Sequence, residues 1–314
     1  MEPDTNYIFM LSHFCELHGP KIIMVTHSFH VPDAVNAASN NDPRLYNQII
    51  NFKELQNIYT NHTSYCNSCK FKVSDDNNNI CLTNDKSLNA NRVFLSSQLP
   101  KSFFLQKKLN QLNKKLIHQE NINSNDPKLI IIGNSNFFYS ITLKFKINEF
   151  QSRGQIKNYQ ISLISNNFNN LLVNYNLIFK KLNQLIYNLC QKRAYFENEK
   201  IFKKNGSSST LKYLKNKNLF LYNNYDLNTN NKNGFNLTEI VDDNDIFIKI
   251  HKFASILLND LYKSDLRMSI ISKNNKNNKS NENNNDNNDN NDNNKDNGSY
   301  SYYKDLDNLL FNSK

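Results

Sequence analysis

No stretch of the 314-residue sequence approaches the ~20 consecutive apolar residues that a helix needs to cross a bilayer. The N-terminus also lacks a charged leader followed by an apolar core. Both absences lead to the expectation of a chain made and kept in the cytosol. Cysteine is scarce and odd in number: five residues fit reduced thiols better than a disulfide frame. Neither a GxxxxGK[ST] nor a GxGxxG phosphate cradle occurs, so the chain is not expected to be a nucleotide-binding enzyme in its own right. Apolar residues are short as well, at 38%, and the mean hydropathy is -0.69. Asparagine instead makes up roughly a fifth of the chain, in tracts that cannot bury a core. The expectation is one domain of about 150–200 residues, interrupted and followed by disordered segments.

The net charge of +10 raises nucleic acid or an anionic membrane as a partner. The lysines, however, are scattered among asparagines rather than gathered into a stripe with interleaved aromatics. They read as a solvated basic surface, and no nucleic-acid partner is expected.

Two apolar runs, Tyr7 to Leu11 and Ile22 to Val25, flank a polar turn at Glu16-Leu17-His18-Gly19-Pro20. Gly19 tolerates backbone angles that other residues avoid, and Pro20 fixes the next one, so the pair predicts a hairpin. Thr26 to Asn91 shows no sustained period and reads as a long insert. Leu105, Leu109, Leu112 and Leu116 make one apolar helical stripe opposite Lys107, Lys108, Lys114 and Lys115.

Lys128 to Ile132 reads as a strand buried on both faces. Tyr139, Ile141, Leu143, Phe145 and Ile147 alternate with polar residues, as a half-buried strand does. Tyr159, Ile161 and Leu163 share one face of a third strand. From Phe168 to Leu189 the apolar residues keep a helical beat. Ile246, Ile248 and Ile250 alternate before a short helix around Phe253 to Leu261. The order strand, strand, helix, three strands, helix predicts an α/β/α sandwich: five antiparallel strands between helices, with long Asn-rich disordered insertions and tail. This is the order of a longin domain.

Several candidate chemical groups have bland alternatives. Cys66-x-x-Cys69, with His62 and Cys81, is a chemically possible Cys3His zinc set. Strong zinc signals carry two tight pairs, and this set has one. The default is therefore no metal and no cofactor, with unligated thiols in a partner-docking loop. His13, Cys15 and His18 fit packing or turn hydrogen bonds better than a nucleophilic site, because no orienting carboxylate accompanies them. His251 reads as a structural histidine.

Several separated segments carry a family resemblance. His13 to Lys21, HFCELHGPK, resembles the opening of folliculin nearly residue for residue. Ser64-Tyr65-Cys66-Asn67-Ser68-Cys69 is similar to the SYCxSC element of the short, longin-only fungal form. Arg153-Gly154 followed by Tyr159 and Gln160-Ile161-Ser162-Leu163 resembles the family's Arg-Gly before the fifth strand. Ile248 to Phe253 with Leu257-Leu258 resembles the fungal form's closing segment. Nothing after Lys273 looks able to form the DENN domain of the animal form.

The division this implies is a longin domain over 1–200 with a disordered insert at about 27–95, an Asn-rich linker over 201–243, an extension over 244–266 that packs on the domain or on a partner, and a disordered Asn/Asp-rich tail over 267–314.

The resemblance also implies a function. The family works as a heterodimer with a folliculin-interacting-protein subunit of longin/DENN type. That complex activates the GTPase of a Rag C/D subunit in amino-acid signalling to TOR complex 1, at the vacuolar or lysosomal membrane. The expectation is thus a GTPase activator, recruited peripherally to the vacuole, whose substrate is the Rag GTPase heterodimer. The alternative is a noncatalytic longin scaffold that only recruits Rag GTPases. The residue implied for catalysis is Arg153, as an arginine finger. A planar, permanently charged guanidinium answers the negative charge that builds on phosphoryl oxygens, and a finger given in trans is worth about 10³–10⁵ in rate.

Overall fold

The computed structural model describes residues 4–30, 65–73, 80–85, 92–100, 102–119, 127–134, 136–149, 152, 155–205 and 234–281. Among these residues, seven strands form one antiparallel sheet: β1 (Asp4–Cys15), β2 (Gly19–His30), β3 (Ile80–Asp85), β4 (Arg92–Ser97), β5 (Lys128–Asn134), β6 (Phe138–Asn148) and β7 (Ile156–Ser165). Their order across the sheet is β3-β4-β2-β1-β7-β6-β5. Helix α1 (Phe103–His118) joins β4 to β5. Helices α2 (Phe168–Val173), α3 (Tyr175–Asn205), α4 (Leu237–Val241) and α5 (Ile246–Asn281) follow β7. The fold is mixed α/β, broadly compatible with a longin-like arrangement.

The expectation of five strands is corrected to seven. The added hairpin, β3 and β4, begins inside the stretch of about 27–95 read as a disordered insert and ends just past it, at Ser97. Its apolar cores, Ile80-Cys81-Leu82 and Val93-Phe94-Leu95, are too short for their alternation to stand out between Asn/Asp clusters. Pairing with β2, through Val25↔Ser97 to His30↔Arg92, supplies what local sequence does not.

The sheet buries both faces. Along β1, Ile8 and Met10 meet α1 through its stripe of Leu105, Leu109, Leu112 and Leu116. Tyr7, Phe9 and Leu11 point the other way into a larger core with α3, α4 and α5. A side-chain period of two makes a continuous apolar run necessary at such a central strand. The β1–β2 register jumps from Leu11↔Met24 to Ser12↔Ile22. This bulge leaves Ile23 as the extra residue and lets Ile23 and Met24 both join the larger core.

Strand β6 departs from the half-buried expectation. Ile141, Leu143, Phe145 and Ile147 do face the larger core, but Ser140, Thr142 and Lys144 are buried too, on the α1 side. Ser140 and Thr142 share a 2.7 Å hydrogen bond, and the Thr142 hydroxyl donates to Ser162 Oγ at 2.8 Å. Gln160 Nε2 donates to Asn113 Oδ1 of α1 at 2.6 Å. Lys144 Nζ donates to the carbonyls of Ile117 and Gln119 at 3.1 and 2.7 Å, closing the C-terminal end of α1. Burial pushes the Lys144 ammonium down to about 8, with repulsion from Lys128 adding to it.

The strand expected to be buried on both faces, β5, is instead an edge. Only Ile130 of its apolar residues is buried, and Ile131 is 40% exposed. The helical beat after Phe168 is interrupted at Asn174, whose side chain donates to the Asn170 carbonyl and to Tyr7 Oη, at 3.0 and 3.2 Å. Helix α4 lies inside the 201–243 stretch read as linker, and α5 runs past residue 266. In α5 the alternation of Ile246, Ile248 and Ile250 is not a strand. Ile246, Phe247, Ile250, Phe253, Ala254, Leu257, Leu258 and Leu261 are buried at helical spacing.

His251 of α5 joins this helix to the added hairpin. Its Nδ1 lies 2.6 Å from Ser96 Oγ of β4, and its Nε2 lies 2.6 Å from Thr83 Oγ1 of β3. Burial pulls the imidazole down from 6.5 to about 4, so the folded protein holds it neutral. The unfolded chain takes up this proton first as pH falls. Stability conferred by the neutral ring is thus complete above about 6.5 and is lost down to about 4. The urea midpoint of the full chain should fall across this window. His251→Gln, which keeps polar hydrogen bonding without titrating, should remove on the order of 2–3 kcal/mol of that pH dependence.

Candidate functional site

Arg153 and Gly154 lie outside the described residues, but both ends of their loop are described. Strands β6 and β7 pair down to Asn148↔Ile156. Beyond that pair, the Glu149 N–H donates to the Gln155 carbonyl at 3.0 Å. The Ser152 N–H donates to the Glu149 carbonyl at 3.1 Å, and the Gln155 N–H to the Ser152 carbonyl at 2.8 Å. Gln155 takes the left-handed region at φ 58, which sharpens the return into β7.

A buried ion pair fixes the base of this loop. Lys157 Nζ lies 3.4 Å from Glu149 Oε2, with the two side chains 4% and 1% exposed. Every strong donor and acceptor of the pair has a further partner, as a buried pair requires. Lys157 Nζ donates to Ser68 Oγ and, at 2.9 Å, to the Phe235 carbonyl. Glu149 Oε1 accepts from the Phe235 N–H at 2.7 Å, and Oε2 accepts from the Ser152 hydroxyl. The loop is therefore tied to two segments distant in sequence, Ser68 and Phe235.

Ser68 belongs to a short 3-10 turn, Asn67–Cys69, that rests on the β1–β2 hairpin. Four donor atoms converge there: the thiols of Cys15, Cys66 and Cys69 and the imidazole of His18, all within 4.8 Å of one another. Cys15 Sγ is 3.6 Å from Cys66 Sγ and 3.6 Å from His18 Nδ1. Cys69 Sγ is 3.5 Å from Cys66 Sγ and 3.7 Å from His18 Nδ1. His13 stands behind the cluster, with Nε2 at 3.2 Å from Cys69 Sγ and its ring stacked on Tyr159. Burial holds His13 far below the ordinary histidine range, and the nearby Lys157 charge adds to this.

The three thiols differ. The S–H of Cys69 stabilises a thiolate at Cys15, against the cost of burial, and the N–H groups of His18 and Leu17 help. Cys15 is accordingly pulled down and Cys69, as the donor, pushed up.

The structure brings together part of the sequence-derived zinc set and places two other side chains beside it. Cys66 and Cys69 do come together, but Cys81 lies on β3 within the larger apolar core, where burial pushes its thiol up to about 12. His62 lies outside the described residues. Cys15 and His18 complete the group instead. They form a C-x-x-H pair astride the hairpin turn, so the two tight pairs were present in the sequence, 51 residues apart between Cys15 and Cys66. His251 is satisfied by Ser96 and Thr83 and takes no part.

A family model for folliculin, described as a vesicle coat protein involved in Golgi to plasma membrane transport, matches residues 92–261, more than half of the chain. The chain belongs to the folliculin family. The matched span runs from β4 into α5 and contains the Arg153 loop with its Glu149–Lys157 base. The β1–β2 hairpin and the Cys66/Cys69 turn lie outside it. No curated protein matches the chain. Among the described residues, no helix is long and apolar enough to cross a membrane.

Removing one partner of the buried pair leaves an uncompensated charge. Lys157→Ala should lower unfolding stability in urea by about 3–5 kcal/mol, whereas Glu149→Gln combined with Lys157→Met should cost distinctly less than the sum of the single changes.

Proposed function

We propose that this folliculin-family chain is one subunit of a heterodimeric GTPase-activating complex, of the folliculin and folliculin-interacting-protein type. Its partner is a longin/DENN subunit. Its substrate is a Rag C/D-type GTPase in amino-acid signalling to TOR complex 1 at the vacuolar membrane. Arg153 serves as the finger. The observation that supports this reading most is the construction of the loop base. A finger must project outward, yet lose little freedom when it enters the neighbour's nucleotide site. The loop around Arg153 leaves a closed β6–β7 pair, and its ends are held by the Glu149–Lys157 ion pair and its partners on Ser68 and Phe235.

In this mechanism the chain does no covalent chemistry. The GTPase binds GTP and positions the attacking water. The Arg153 guanidinium adds positive charge at the phosphoryl oxygens as the bond to the leaving group breaks. Such a contribution of about 10³–10⁵ in rate corresponds to roughly 4–7 kcal/mol of barrier.

Single-turnover GTP hydrolysis by the Rag-type partner, with and without the assembled heterodimer, tests the proposal. Arg153→Ala should reduce the stimulated rate by about 10³ or more while co-purification of the complex is unchanged. Arg153→Lys should also fail, because an ammonium cannot reproduce the planar fork. Stimulation that survives both changes would leave recruitment of the GTPase as the chain's role.

A further inference from the structure

We propose that Cys15, His18, Cys66 and Cys69 form a closed structural zinc site that fastens the Cys66–Cys69 turn to the β1–β2 hairpin. A tetrahedral zinc with three thiolates and one imidazole has sulfur–sulfur edges of about 3.8 Å and sulfur–nitrogen edges of about 3.5 Å, given Zn–S near 2.3 Å and Zn–N near 2.0–2.1 Å. The edges here are 3.5 and 3.6 Å between sulfurs and 3.6 and 3.7 Å between sulfur and Nδ1. These four of the six edges match such a polyhedron, and all four donor atoms lie within 4.8 Å of one another.

The surroundings fit the same role. Each ligand pair straddles a tight turn, Cys15-x-x-His18 at the hairpin and Cys66-x-x-Cys69 at the 3-10 turn, the spacing that lets two side chains reach one ion. The Cys69 N–H donates to the Cys66 carbonyl at 3.0 Å and closes the turn that presents both thiols. A neutral His13 can donate from Nε2 to Cys69 Sγ at 3.2 Å. This is the kind of outer hydrogen bond that orients a thiolate ligand and spreads its charge. All four positions are filled by protein, so the ion is structural and leaves no place for a reacting water. On binding, each thiol gives its proton to solvent as a Zn–S bond forms, and no electrons are transferred.

A disulfide explains the cluster less well. Any one bridge uses two sulfurs and leaves a buried third thiol and the imidazole converging on nothing. A Cys3His set of this geometry suits zinc better than iron–sulfur ligation, which favours four thiolates, and better than calcium or magnesium, which take oxygen.

The full chain, expressed with zinc and desalted, should carry about one zinc ion per molecule by elemental analysis. Added chelator should strip it and make three further thiols reactive in the otherwise unmodified protein. Cobalt(II) supplied to the stripped protein should give the visible absorption of a tetrahedral thiolate site. Cys66→Ser and His18→Ala should each lower zinc content at least about tenfold, while Cys81→Ser and Cys190→Ser leave it unchanged. The wild-type measurements stand even where a variant fails to fold. Three results would overturn the assignment: a folded wild-type chain without zinc whose thiol reactivity ignores chelator; a Cys15–Cys66 or Cys66–Cys69 disulfide by mass spectrometry; or zinc retained in Cys66→Ser and lost in Cys81→Ser.

Discussion

Covering both faces of one antiparallel sheet is the constraint from which the rest of this structure follows. The two faces are unlike. Under α1 the sheet presents Ile8, Met10, Val25 and Ile164 near its centre but Ser140, Thr142, Ser162 and Gln160 beside them. These hydroxyls and amides hydrogen-bond to one another and to Asn113, so one narrow amphipathic helix suffices to close that side. The opposite face is wide and apolar. It extends from Ile141 on β6 across Phe9 and Ile23 to Phe94 on β4, and α3, α4 and α5 share its cover. Each buried side chain of this size contributes about 1.5–3 kcal/mol, which explains why helices so far apart in sequence converge there.

That asymmetry decides what could be read from sequence. The leucine stripe of α1 and the shared face of Tyr159, Ile161 and Leu163 lie on the surfaces that periodicity assigns to them. Elements failed to announce themselves where the buried set was polar or the run was short. Ser140, Thr142 and Lys144 look solvent-facing by composition and are buried because they satisfy one another and the end of α1. The hairpin β3–β4 and the first turn of α5 are short apolar runs for which strand and helix periods coincide. Lys128 to Ile132 reads as an interior strand, yet it sits at the rim, because position in a sheet is set by pairing partners and not by local hydropathy.

The candidate site divides along the same line. Arg153 was legible as a charged residue between two patterned strands, and the Glu149–Lys157 pair beneath it was not. A Glu and a Lys flanking a loop are ordinarily solvated, and only the arrival of Ser68 and Phe235 makes them interior. The Cys66-x-x-Cys69 pair is likewise visible in the sequence, whereas its approach to Cys15 and His18 is not. Cys15-x-x-His18 had been absorbed into a hairpin turn, a reading that remains true of its backbone. A turn that also offers two ligands is recognised only when the second pair is seen to approach it.

The two candidate functions meet at the turn between Asn67 and Cys69. This turn has few apolar anchors, chiefly Cys69 and Phe71, the latter against Phe247 of α5 at a ring separation of 5.1 Å. It relies on polar contacts instead. Asn236 Nδ2 donates to the carbonyls of Asn67 and Lys70, Asn67 Nδ2 donates to Glu239 at the start of α4, and Lys157 reaches Ser68. Such contacts hold a segment in place only if the segment is already near, since each net hydrogen bond is worth about 1 kcal/mol and ordering a residue costs as much or more. Coordination of zinc supplies a cross-link of a different order, because its free energy becomes folding free energy for whatever it joins. A zinc ion held by Cys15, His18, Cys66 and Cys69 would position Ser68, which meets Lys157, and Lys157 pairs with Glu149 at the foot of the Arg153 loop. A cation offered to another protein's phosphates works best when its mounting does not reorganise, and a metal at this turn would stiffen the mounting that Glu149 and Lys157 already close.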